Sequence, residues 1–193
     1  MKALESSQAE KIAEILIENG ADSTAENFDG DSILQILIRT NKIEPARILI
    51  EKGKPNLEHF NKKTESVIHT TVLQKQHKLL KNMLSKNIDI SKIMPDQNLE
   101  EIVVGGSALH IALSLQSRKC VDIIISKMEE SDLEIAGDDE NHSALDISIK
   151  NQWLDIAKKL LKLGAPGKKI FKIKLKNNKT REIKLSNVMI SDI

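Results

Sequence analysis

A single cysteine, Cys120, excludes an intrachain disulfide framework and any cysteine-rich zinc spacing in these 193 residues. Tyrosine is absent, and the aromatic residues are Phe28, Phe60, Trp153 and Phe171. Surfaces that stack bases or sugars need more such platforms. No apolar run approaches the ~18 residues needed to cross a bilayer, and Met1 to Gln8 carry no apolar signal-peptide core. The net charge of +1 excludes a surface built wholly for nucleic acid. What is present is 40% hydrophobic residues, mostly Leu, Ile and Val, enough to bury a core of close-packed helices. Arginine supplies only four of the 29 basic residues. Charge is unevenly placed: Lys168–Lys184 carries +7, leaving −6 for the remainder, so an acidic body precedes a basic tail.

The body repeats itself. Ser107-Ala108-Leu109-His110-Ile111-Ala112 matches Ser143-Ala144-Leu145-Asp146-Ile147-Ser148, and weaker copies begin at Ser32 and Ser66. Each is followed by a second apolar pattern ending in a turn signal: Ile48-Leu49-Ile50 before Gly53, Met83-Leu84 before Asn87, and Leu160-Leu161 before Gly164. Ile12 and Ile15-Leu16-Ile17 run to Gly20 ahead of them all. Apolar residues at i, i+3 and i+4 specify helix, and Gly or Asn just beyond them fits a left-handed cap.

A period near 34 residues with two helices per unit resembles the ankyrin-repeat family, whose first helix opens on T-P-L-H-x-A. The resemblance covers roughly residues 4–166. The family's proline is replaced by Ile33, Val67, Ala108 and Ala144, and its histidine survives at His69 and His110. Its interhelical glycine is replaced by Asn41, Lys75, Gln116 and Gln152. The resemblance implies an all-α solenoid of about five units, at 1–26, 27–60, 61–101, 102–137 and 138–166. A unit cannot cover its own apolar face, so neighbours stack. The 61–90 stretch has Thr64 and Lys75 where the family favours positive φ, which predicts the softest unit of the array.

Two segments depart from the period. Residues 91–104 form an insertion, read as a long loop that is either a binding loop or a neutral lengthening. In 167–193, Phe171, Ile173 and Leu175 alternate with lysines, and Ile183 and Leu185 follow an Asn-rich turn, which reads as a basic β-hairpin. The hairpin caps the last repeat or grips an anionic ligand.

Chemistry finds little to work with. His59, His69, His77, His110 and His142 are scattered without metal-ligand spacing. Cys120 falls on the inner side of a helix pattern with no local His to activate it. Gly105-Gly106 lacks the Lys-Ser/Thr of a phosphate loop. The expectation is therefore a protein that is not an enzyme, with no cofactor, metal or small-molecule substrate.

The resemblance implies protein binding on a concave surface made of finger-like turns and first-helix ends. It places there Phe28, Asp29, Asp31, Lys62, Lys63, Glu65, Val103, Val104, Asp139, Glu140 and His142 from the turns. Arg39, Gln74, Ser114, Leu115, Lys150 and Asn151 come from the helix ends. Phe28, beside Asp29-Gly30, is the leading anchor because interface energy concentrates in a few aromatic residues. The expected partner is a protein, for instance a host protein engaged by a bacterial effector. The expected location is the cytoplasm, or the host cytosol for a secreted effector. Two other readings stand beside this one: a recruitment domain of a larger enzyme, and an anionic-ligand binder acting through the tail.

Overall fold

The computed structural model describes residues 8, 11–12, 14–86, 88–99, 102–133, 143–165, 170–174 and 180–184. Side-chain surroundings are described outside 96–99, 102–105, 130–131 and the two C-terminal strands. The chain divides into two compact units, Met1–Pro95 and Asp96–Ile193.

In the first unit, residues 11–12 and 14–18 are helical and form α1. Two helix pairs follow: α2 (Ile33–Arg39) with α3 (Ile43–Lys52), and α4 (Val67–Leu73) with α5 (His77–Leu84). First helices pack on first helices and second on second, α2 against α4 and α3 against α5. The first helices can be apolar nearly all round because they are covered on several sides; α4 is buried from Val67 through Val72. The second helices bury one stripe, such as Leu79, Leu80, Met83 and Leu84 of α5, and turn their charges outward.

Strand β1 (Ile93–Leu99) contains the point of division. The second unit holds β2 (Ile102–Ser107), α6 (Ala108–Ser114), α7 (Arg118–Ile125) and a 3₁₀ turn at Glu130–Leu133. It continues with α8 (Ala144–Lys150) and α9 (Leu154–Lys162). Again α6 packs on α7, α8 on α9, α6 on α8 and α7 on α9. Strands β3 (Ile170–Lys174) and β4 (Thr180–Lys184) pair antiparallel, with Phe171 opposite Ile183 and Lys172 opposite Glu182, and β3 lies against α8. The strands of the expected hairpin are present; its turn at 177–179 lies outside the described residues, as do the helix stops expected at Asn87 and Pro166-Gly167.

Start and stop signals explain the pairs. Ser32, Ser66 and Ser143 each accept the backbone N–H three residues on, and the side chains of Gln35, His69 and Asp146 return the bond to complete a capping box. Each first helix ends in the same left-handed turn. Asn41, Lys75, Gln116 and Gln152 have φ of 56°, 53°, 51° and 61°. Around Asn41, its own N–H reaches the carbonyl of Ile38 and the N–H of Lys42 reaches that of Leu37. The other three turns repeat both bonds, a Schellman motif written four times without glycine.

The insertion differs from expectation. Residues 91–104 are not a loop: β1 and β2 occupy most of the segment. Ile93-Met94 and Ile102-Val103-Val104 supply the β-branched and apolar content that favours extended backbone.

Candidate protein-binding surface

The turn at 27–31 is held by one side chain. Asn27 Oδ1 accepts the backbone N–H groups of Asp29 and Asp31, both at 2.9 Å. Its main chain closes the turn: Gly30 N–H donates to Asn27 C=O at 3.0 Å, and Asn27 N–H to Asp31 C=O at 3.0 Å. The turn at 61–65 is a copy 34 residues on. There Asn61 Oδ1 accepts from Lys63 at 3.0 Å and Glu65 at 2.9 Å. Glycine at position 30 is required twice over. Its φ is +75°, and a Cβ there would stand 3.0 Å from the backbone nitrogen of Lys62.

Four bonds tie the two turns together. Lys62 N–H donates to Asp29 C=O at 3.1 Å, and Lys62 Nζ to Phe28 C=O at 2.6 Å. His59 Nε2 lies 2.6 Å from Gly30 C=O, and Asn61 Nδ2 donates to Asp31 Oδ1 at 2.7 Å. With its backbone fixed on both sides, Phe28 leaves its ring 97% exposed.

Beneath the turns lies a buried polar ladder. Arg39 reaches Asp31 at 3.3 Å through Nε and Glu65 at 2.7 Å through its guanidinium end. The other Glu65 oxygen accepts the Thr70 hydroxyl at 2.6 Å, and Gln35 Nε2 donates to the Glu65 carbonyl at 2.9 Å. Asp31 is 7% and Glu65 1% exposed, so both carboxylates are spent inside the chain. This corrects their expected place among the surface contacts. A buried carboxylate is tolerated only when paired and hydrogen-bonded, and Arg39 sits between the two to do that.

The remaining expected contacts fall as follows. Asp29, Lys62, Lys63 and Gln74 are exposed in the first unit, beside Phe28 or at the end of α4. In the second unit Lys150 is exposed and Ser114 and Leu115 are half-buried. Asn151 is not a free contact, since its Nδ2 donates to the Leu113 carbonyl at 2.8 Å and secures the end of α6. Val103 and Val104 lie in β2. Asp139, Glu140 and His142 lie outside the described residues.

Asn27, Asn61 and His59 organise this surface and were not among the expected site residues. The signal was the pair of asparagines spaced 34 apart, each four residues before a carboxylate. The two family histidines serve locally. His69 Nδ1 accepts the Ser66 N–H at 3.2 Å, so its Nε2 carries the proton donated to the Lys92 carbonyl at 3.0 Å. Burial pushes its pKa down to about 4, against a small opposing effect of that carbonyl. His110 Nδ1 lies 2.8 Å from the Ser107 hydroxyl. Cys120 is buried on α7. Arg118 stacks over Trp153, 5.4 Å from the ring centre, and joins Asp122 and Asp155.

Among the described residues no group of three or more His, Cys, Asp or Glu stands close enough to hold a metal ion, and no helix is long and apolar enough to cross a membrane. Compared with known proteins, the chain matches no family model and resembles no curated protein at a significant level.

Proposed function

We propose that this chain is an ankyrin-like protein-binding module, in which the five units between residues 1 and 166 form one array and residues 167–193 cap it. The observation that carries the proposal is Phe28: a large aromatic ring, 97% exposed, on a turn whose backbone is bonded at every side. An apolar ring held out in water gains nothing for folding and gains about 2 kcal/mol or more when a partner buries it. Asp29 on one turn and Lys62 and Lys63 on the next surround it with charges of both signs. That arrangement selects a protein surface by complementarity and suits a continuous phosphate backbone poorly. The module binds without cofactor or bond chemistry. The repeated Asn-anchored turns and the four Schellman turns support the array reading, because a fixed 34-residue offset reproduces the same bonds.

The test compares the native chain with Phe28→Ala and Lys63→Glu variants as bait in cell lysate. A protein retained by the native chain and weakened about tenfold or more by Phe28→Ala is expected. Thermal unfolding of that variant should match the native chain, because the ring packs against little. Retention of every captured protein by both variants sinks the proposal.

A further inference from the structure

The first unit is open at one end, and the repeat itself states what the opening is shaped for. Helix α1 is a copy of α3 placed 34 residues earlier. Gly20 and Lys54 are both left-handed, at φ of 74° and 48°. Asp22 and Asn56 each accept the N–H two residues on, from Thr24 and Glu58. On this alignment Ile12, Ile15 and Leu16 fall on Ala46, Leu49 and Ile50. The α3 residues are 0%, 5% and 2% exposed, because α2 lies against α3. The α1 residues are 57%, 57% and 53% exposed.

The same mismatch runs down α2. Ile33 and Leu37 are half-buried, whereas their equivalents Val67 and Thr71 on α4 are buried in the stack with α2. Between α1 and the α2–α3 pair lies an apolar groove of about 330 Å³, lined by Ile12, Leu16, Ile33, Leu37 and Leu49, with Lys42 among its few polar residues. Lys42 makes no ion pair among the described residues. Its equivalent, Gln76, donates Nε2 to Asn41 Oδ1 at 3.0 Å, in the turn that ends the preceding first helix. The groove is therefore the seat of a first helix. Its shape is the one α2 fills against α3 and α4, and its one unpaired cation lies where that helix would end.

We propose that this groove seats a short amphipathic helix of a partner protein, about two turns long like α2, ending in a carboxylate that meets Lys42. Apolar residues at i, i+3 and i+4 of that helix cover Leu16, Leu37 and Leu49. The terminal carboxylate gives the direction of docking, since Lys42 stands at one end only. This surface is separate from the turn bearing Phe28, and the inference does not depend on the role assigned to that ring.

The probe is a labelled, hydrocarbon-stapled peptide with the sequence of residues 32–41 carrying Asn41→Asp, titrated by fluorescence anisotropy against the full chain. Saturable binding is expected, weakened about tenfold or more by Leu37→Glu in the chain, since the carboxylate would be buried against the peptide. Lys42→Glu should weaken it about threefold, and a peptide with Asn41→Lys should prefer that variant to the native chain. Ile12 is more exposed than Leu37, so Ile12→Glu repeats the first comparison should Leu37→Glu unfold. Absence of saturable binding overturns the proposal, as does binding that all three substitutions leave unchanged. Sedimentation showing a dimer of the native chain that Leu37→Glu dissolves would place a second copy in the groove and overturn the assignment to a partner.

Discussion

The turns at 27–31 and 61–65 are held by the same asparagine bonds, yet differ where those bonds have consequences. The left-handed position is Gly30 in the first and Thr64, at φ 56°, in the second. The side chain that completes the capping box is Gln35 in the first helix and His69 in the equivalent one. The closing carboxylate is Asp31 in one and the longer Glu65 in the other, which alone reaches both Arg39 and Thr70. Backbone bonding fixes the shape of the repeat, and side-chain identity at three positions sets how firmly, and at what pH, each copy holds.

Glu65→Ala should have the largest effect. It removes the acceptor for Thr70 and for one arm of Arg39 in a fully buried site, and is expected to cost about 3–4 kcal/mol by denaturant unfolding. Asp31→Ala should cost less, because Asp31 serves Arg39 at longer range.

Acid should distinguish Gln35 from His69. The folded pKa of His69, about 4, lies below its ordinary 6.5. Between these values the unfolded chain binds a proton that the folded chain does not. The contribution of His69 is thus complete above pH 6.5 and falls away as pH drops toward 4, by about 3 kcal/mol at most. His69→Gln should flatten that part of the stability curve while keeping the fold. Gln35 already makes the same two bonds at its own position, accepting from Ser32 at 3.1 Å and donating to the next turn at 2.9 Å. An unchanged acid limb in the variant would show that other groups set it.

Gly30→Ala comes next, at about 2 kcal/mol, from left-handed strain and the close approach to the Lys62 backbone. The reverse substitution is the smallest. Thr64→Gly should stabilise by about 1 kcal/mol, since a β-branched residue is the poorest occupant of that conformation. Before the change, amide exchange should be faster in 61–90 than in 27–60; Thr64→Gly should narrow the gap.

The helices and their ends were legible in the sequence because both rest on local rules. Ser32, Ser66, Ser107 and Ser143 mark the starts, and Asn41, Lys75, Gln116 and Gln152 stand at the left-handed turns where the repeat pattern puts them. The burial of Asp31 and Glu65 was not legible. Each stands in a polar stretch, and the guanidinium that draws them in lies 8 residues from one and 26 from the other. The strands in 91–104 were missed because Pro95 and Gly105-Gly106 punctuate the stretch, and no two-residue alternation runs through it. The groove beside α1 was missed for a different reason. Ile12, Ile15 and Leu16 have the pattern of a covered helix, and only the structure shows what is absent from its side.

The bond from Lys62 to the carbonyl of Phe28 has a consequence for how a partner would be met. Ordering a free loop on association costs about 1–2 kcal/mol for each residue fixed. Here Asn27, Lys62 and the turn's own amides have already met that cost during folding, so only the two torsions of one ring remain to be stilled. Association at this turn should carry a small entropic cost and a heat-capacity change set by the buried ring alone, as in a rigid surface meeting its complement.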